Sequence, residues 1–308
     1  MKKIRLITYP QSLVQADQLL NYADVLVLGE AGLAIRMPAS FSREDQAKLV
    51  ALAHDREKQA VIAVNGLLHN AQIEALVDYL PFLREIQADA VLTGDPGLIQ
   101  VMREAGLDIP VVWDTQTLNT SAASLDFWAD QGAVAAVVSN ELTGAELRDL
   151  LPQLTIPAWL QLYGAVGLQH SLRPYVSNYG WHFGLSGLTA GPDQPLYLSE
   201  PGQPDVRYPL YEDASGSHIF HAEDLNLLPV LDQLVHMGIH NWSLNSLFLE
   251  EDRYLDIVAL YRQAATALEQ GRWTCNLAAD LTSKVRALHP AQRPLGLGFF
   301  PLDPRDIS

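Results

Sequence analysis

QLYGAVGLQHSLRPYVSNY, residues 161–179, decides the fold. The stretch begins inside an apolar run, residues 157–162, that reads as a buried strand. It breaks at Tyr163-Gly164 and continues into a polar loop carrying Gln169, His170, Arg173, Ser177, Asn178 and Tyr179. A buried strand that ends in glycine and a crowd of polar side chains is how a parallel α/β scaffold builds a site.

Toward the N-terminus the same unit recurs. Apolar runs at 4–8, 25–29, 60–64, 90–93, 111–113 and 135–138 alternate with amphipathic stretches at 13–22, 43–56, 71–86, 97–104, 124–131 and 144–151. Ser42 with Asp45 offers the second stretch an N-cap and a first-turn acid. Strands alternating with helices of this length imply βαβ units and a parallel sheet. Seven strands are one short of a ring. Residues 241–244, with a helix before them over 224–236 and another after them over 250–269, predict the eighth.

The expected fold is therefore a TIM-like (β/α)8 barrel over residues 1–270, with residues 271–308 packed on it as a C-terminal extension. Such barrels reach about 250 residues as one unit, so 308 residues need no second domain. Between strands seven and eight the pattern breaks. Residues 180–221 are rich in Gly, Pro and aromatics, with alternation at 195–199, 208–212 and 218–221. This predicts an inserted β-hairpin region over the barrel mouth, turning at 213–217.

Composition narrows the function classes. With 20 Lys and Arg against 36 Asp and Glu, the net charge is −16. Such a chain is poorly suited to gripping RNA or DNA alone, since that affinity comes largely from cations neutralising phosphates. No apolar stretch approaches a membrane span, and the run in MKKIRLITYP is too short for a signal peptide. The single cysteine, Cys275, allows no internal disulfide. A soluble cytoplasmic protein without a membrane partner is expected.

Barrel chemistry sits at the carboxyl ends of the strands. There lie Glu30, Asn65, Asp95, Asp114 with Gln116, Glu141, Gln161 with Tyr163, and Asn245. Glu141 and Asp95 are candidate acid–base carboxylates, with His170 from the opening segment as a third catalytic candidate. The binding candidates are Glu30, Arg36, Asn65, His69, Gln116, Asn119, Tyr163, Arg173, Ser177 and Tyr179. Arg36 and Arg173, in loops after strands two and seven, match a carboxylate or phosphate through the planar guanidinium fork, so a small anionic ligand is expected. Blander roles compete: Asp95 before Pro96 is equally a helix cap, and a single arginine more commonly makes a surface ion pair. Nucleophile and metal templates fail. No Gly-x-Ser-x-Gly or HExxH occurs, and His218 and His221 fall on opposite faces of a strand. No metal site is expected.

The opening segment also resembles the signature of the collagenase-like peptidase family U32. Gly164-Ala165, Arg173 and Ser177-Asn178-Tyr179 fit its frame, while its two cysteines fall on Gly167 and Pro174 and its acid on Gln161. GEAGLAIRMPASFSRED, AVNGLLHN, LTGDPGL, the Gln116–Asn119 pair and SNELTGAEL look like its successive barrel loops. The ending RPLGLGFF and the size are most like its short members, implicated in hydroxylating the wobble uridine of tRNA to 5-hydroxyuridine, a reaction associated with prephenate.

The resemblance implies a barrel that works beside a larger family paralogue, or as a homo-oligomer, and meets tRNA only within a complex. Peptidase activity is the family's label and the alternative reading; a non-enzymatic small-molecule-binding barrel is the third. Cluster-binding members use four cysteines. The third position is Asn226 here and Cys275 is off pattern, so no iron–sulfur cluster is expected. A charged Lys-Ile-Glu-Gly-Arg run of the family appears as Ser243-Leu244-Asn245-Ser246-Leu247. That exchange implies an accessory or degenerate subunit.

Overall fold

The computed structural model describes residues 2–306; residues 1, 307 and 308, the last two belonging to the expected extension, lie outside the described residues. Seven strands, β1 (Arg5–Thr8), β2 (Val25–Gly29), β3 (Gln59–Ala63), β4 (Ala90–Thr93), β5 (Val111–Trp113), β6 (Ala133–Val137) and β7 (Ala158–Gly164), alternate with six helices. The helices are α1 (Leu13–Leu19), α2 (Arg43–Asp55), α3 (Asn70–Glu85), α4 (Pro96–Glu104), α5 (Ala122–Asp130) and α6 (Gly144–Leu150). The caps are largely local: Ser42 accepts the Asp45 N–H at 3.2 Å, and Thr143 with Glu146 forms a capping box before α6.

The chain then leaves the ring. β8 (Gly167–Ser171), α7 (Tyr175–Phe183), β9 (Leu196–Glu200), β10 (Gln203–Asp213) and β11 (Gly216–Phe220) form the insertion. Its strands make a four-stranded antiparallel sheet in the order β8-β11-β10-β9. A short β12 (Asp224–Asn226) pairs antiparallel with β7. After it come α8 (Leu231–His236), β13 (Asn241–Leu244), α9 (Glu251–Glu269), α10 (Cys275–Leu288) and β14 (Leu295–Gly296), which pairs with β12.

β13 closes the ring. It runs parallel to β1, with Arg5 opposite Asn241, and parallel to β7, with Asn241 opposite Trp159. The result is a closed eight-stranded parallel barrel surrounded by helices. β2 is buried along its whole length, as expected of a strand covered on both faces. Ile7, Val27, Val61, Leu92, Val112 and Trp159 pack inside the ring, and a larger cluster fills the layer between strands and helices. Among the described residues no helix is long and apolar enough to cross a membrane.

Two sequence expectations need correction. The hairpin expected to turn at 213–217 is present as β10 and β11, but it belongs to a four-stranded sheet that starts at Gly167, within the stretch read as a loop. The strand GLQHS is too polar to announce itself, and its partner β11 lies far along the chain. The helix expected over 224–236 is confined to Leu231–His236. Asp224 is instead buried against the tail: Arg293 Nε donates to Oδ2 at 2.8 Å, and His289 Nε2 lies 3.3 Å away. Burial alone would raise this carboxyl, but the bonds from His289 and Arg293, with Arg293's charge, hold it below the usual range.

Candidate functional site

A cavity of about 90 Å³ opens where the strands end. Tyr9 follows β1, Arg36 lies between β2 and α2, and Asn65 follows β3. Asp114 and Gln116 follow β5, Asn140 and Glu141 follow β6, Gln161 comes from β7, and Ser243 and Asn245 from the end of β13. Val166, Gly167 and Phe220 border it from the start of the insertion and its sheet.

Arg36 is held by shape. Its φ is 57° and that of Gln116 is 64°, both in the left-handed region that side chains other than glycine enter at a cost. The Arg36 guanidinium donates to Gln116 Oε1, and Asn65 Oδ1 accepts the preceding Ile35 N–H at 2.9 Å, pinning the loop. Gly167 has no side chain, and the guanidinium lies where its Cβ would be. The Phe220 ring is 5.9 Å from Cζ. Arg36 Nε is shielded from solvent and has no partner.

Asp114 shares the cavity. Its Oδ1 accepts the Gln116 N–H at 2.8 Å. Burial pushes this carboxyl up to about 6, with the Gln116 N–H and the Arg36 charge opposing. Proton exchange near neutrality follows, a property concentrated at functional sites. Tyr9 contacts the Ser243 hydroxyl at 3.4 Å, and burial lifts its phenol above the usual range, so it stays a neutral donor. The remaining polar lining is mostly amide. Gln161 donates to the Ala165 carbonyl at 3.0 Å, and Asn140 Oδ1 is shielded without a partner.

Of the catalytic and binding candidates named from sequence, Arg36, Asn65, Gln116 and Glu141 line this cavity, as do the strand-end residues Asp114, Gln161 and Asn245. The other candidates lie elsewhere. Glu30 pairs with Arg43 at 3.3 Å. Asp95 caps α4, accepting the Gly97 N–H at 2.7 Å and the Leu68 N–H at 2.9 Å. His69 is the exposed residue before α3 and makes no side-chain cap. Asn119 is buried, donating to the Val137 carbonyl at 2.8 Å. Tyr163 turns away from the mouth and meets His289 Nδ1 at 2.6 Å. β8 carries the polar end of the opening segment onto the inserted sheet. His170 there stacks on His218 at 4.8 Å and contacts the Ser215 carbonyl at 2.9 Å. Arg173 is exposed, Ser177 donates to Glu212, and Tyr179 stands on α7 against Phe183. Glu141, Asp95 and His170 thus do not converge.

Sequence reasoning placed Asp114 at a strand end but gave it no role, and it passed over Tyr9. The available signal was the same for both: a polar residue directly after an apolar run.

The positions where the resembled family keeps cluster cysteines offer no thiolate. The space beside Gly167 is filled by Arg36. Asn226 Oδ1 accepts the Tyr261 hydroxyl at 2.8 Å, against the helix layer. Cys275 is exposed at the start of α10. These residues do not fit an iron–sulfur cluster. Among the described residues no three of His, Cys, Asp and Glu gather as metal ligands.

Fold and site together define a (β/α)8 barrel with an amide-rich mouth that holds one fixed cation and one half-buried carboxyl. The chain belongs to Peptidase family U32, whose sequence pattern matches residues 11–308. It is 26% identical to tRNA hydroxylation protein P2 of Bacillus subtilis (strain 168), over 97% of this chain and 98% of that protein. It is 22% identical to tRNA hydroxylation protein P of Escherichia coli (strain K12), over 71% of this chain and 58% of that longer protein. Among solved structures, the U32 peptidase Mk0906 aligns over 79% of this chain and 92% of its own, at a TM-score of 0.49 and 16% identity.

Proposed function

We propose that this chain is an accessory, catalytically degenerate subunit of tRNA wobble-uridine hydroxylation that binds a small, prephenate-like anion at the barrel mouth. One observation carries the binding half: Arg36, locked by Gln116 and the bare backbone of Gly167, keeps a shielded Nε without a partner. A carboxylate or phosphate completes such a fork. The tRNA context is supported by the end-to-end likeness to a tRNA hydroxylation protein.

The neutral residues 243–247 and the lack of thiolates support dependence on a larger paralogue for the chemistry, with no iron–sulfur cluster of this chain's own. The net charge of −16 supports contact with tRNA only through that complex, in the cytoplasm. The peptidase alternative needs a nucleophile or a metal, and of the catalytic candidates Glu141, Asp95 and His170 only Glu141 lines the cavity.

The deciding experiment is mass spectrometry of tRNA nucleosides from a host lacking this chain. Loss of 5-hydroxyuridine, restored by the wild-type chain and not by Arg36→Ala, is the expected result. An unchanged level sinks the reading.

A further inference from the structure

Beside the mouth lies a second cavity of about 290 Å³, and the two share Asn140 and Val166 as a wall. Its other walls stand outside the eight-stranded ring: Tyr208 on β10, His221 just past β11, and Phe299 in the tail. All three rings are half-buried. His221 meets Phe299 edge-on with centroids 6.3 Å apart. Aromatic walls of this kind favour a flat ring, because stacking on such side chains needs only a π face.

Charge and hydrogen bonding narrow the ring further. Of the slot's two carboxylates, Glu223 is exposed and Asp224 is buried against Arg293 and His289, and burial lowers His221 from its usual range despite Glu141, leaving an imidazole that is neutral at pH 7. Nothing in the slot offers a cation to an anionic guest. The shared wall offers an amide. Asn140 Oδ1 has no partner, and its Nδ2 has only a 3.4 Å contact to Gln161. A group with N–H beside C=O presents a donor and an acceptor together, so it satisfies this amide whichever way round the amide lies.

We infer that this slot receives a uracil base, turned out of an RNA strand, with its imide edge on Asn140 and its faces against Tyr208, His221 and Phe299. Turning out is the usual way for a base to reach a pocket that a stacked strand cannot enter. The base then lies next to the anion cavity, which brings a wobble uridine and a small acid to either side of one wall. The inference rests on the tRNA reading for RNA as the source of the ring.

Saturation-transfer NMR on the purified full chain with uridine, a nucleoside without phosphate, tests the slot directly. Transfer to the base protons is expected. Binding should be about tenfold weaker for 3-methyluridine, which lacks the imide N–H and so one hydrogen bond, and should be absent for ribose. Phe299→Leu and Tyr208→Ala should weaken uridine binding with the circular dichroism spectrum unchanged. Asn140→Leu should remove the preference over 3-methyluridine. Trp181→Ser, at an 85% exposed residue, is the control for stacking on the surface. Equal binding of all three ligands, no transfer from uridine, or loss only in Trp181→Ser overturns the slot. The tRNA reading is decided separately: unchanged 5-hydroxyuridine in the deletion host sinks that reading even if uridine binds, whereas absent uridine binding sinks the slot alone.

Discussion

The two ends of the barrel each hold an aspartate near an arginine, buried at one end and half-buried at the other, and they treat it in opposite ways. At the amino end, Asp24 accepts the Leu6 N–H at 3.0 Å and Lys58 at 3.2 Å, and it pairs with Arg262. Burial would raise its carboxyl, but the Arg262 charge, those bonds and Lys58 together hold it below the usual range. At the mouth, Asp114 has one backbone N–H and a more distant Arg36, and burial wins. One end is compensated and serves stability. The other is left unfinished, which is the condition for binding something.

The largest effect should come from cutting the compensated end. Asp24→Ala leaves Arg262 without its carboxylate, with only the Tyr22 and Ile4 carbonyls as acceptors, and truncating one member of a buried pair costs about 3–5 kcal/mol. Urea denaturation should show that loss, whereas Asp114→Asn, which removes an ill-solvated charge, should leave stability equal or higher. Equal losses at both sites would erase the contrast.

The second test is pH. Asp114's folded value, about 6, lies above its unfolded value, near 3.8. The native state therefore binds the extra proton between them, and stability falls as pH rises through that window, by on the order of 3 kcal/mol. Asp24 has the reverse sign: its contribution is complete above its unfolded value and is lost as pH falls through its lowered folded value. Asp114→Asn should flatten the decline between pH 4 and 6 measured by denaturant titration, and leave the acid-side loss intact.

Smaller effects sharpen the mouth itself. Arg36→Ala should weaken binding of a prephenate-like dicarboxylate, read by calorimetry, by about 2 kcal/mol, with Arg36→Lys failing to restore the fork. The affinity of the wild-type chain should fall as pH rises through about 6, because an ionised Asp114 beside the guest repels it. Gly167→Ala should act at one remove. The new methyl displaces the guanidinium, a flexible side-chain end, so stability should drop by only about 1 kcal/mol while anion affinity falls. A Gly167→Ala chain that binds as tightly as wild type would show that the cradle is incidental.

The ring was legible because buried parallel strands read as unbroken apolar runs, such as VLVLG at β2, and because residues like Ser42 mark where helices begin. The insertion was half legible. β10 and β11 alternate, but β8 is polar and pairs with a strand that only folding brings near. At the site, a positional rule was enough for Arg36, Asn65, Gln116 and Glu141, which stand where barrels gather ligands. Where one residue type serves two ends, position alone did not decide: Asp95 took the cap role that Pro96 also announced, while Asn119 is a brace between loops and Tyr163 the anchor of the tail. Asp114's character was unreadable, since a raised carboxyl is a property of surroundings rather than of an aspartate.

The seam where β13 slots between β1 and β7 has a consequence for how the chain comes to fold. Without the pairing of β13 to β1 and β7, the barrel would present two unpaired borders, and such borders recruit other chains. The insertion and β12 lie between β7 and β13 in sequence, so this closure joins residues very distant along the chain, the kind of contact that slows folding. Slow closure with sticky borders is the setting in which chaperones matter, and a ring arrested there would be lost to aggregation rather than to a missing function.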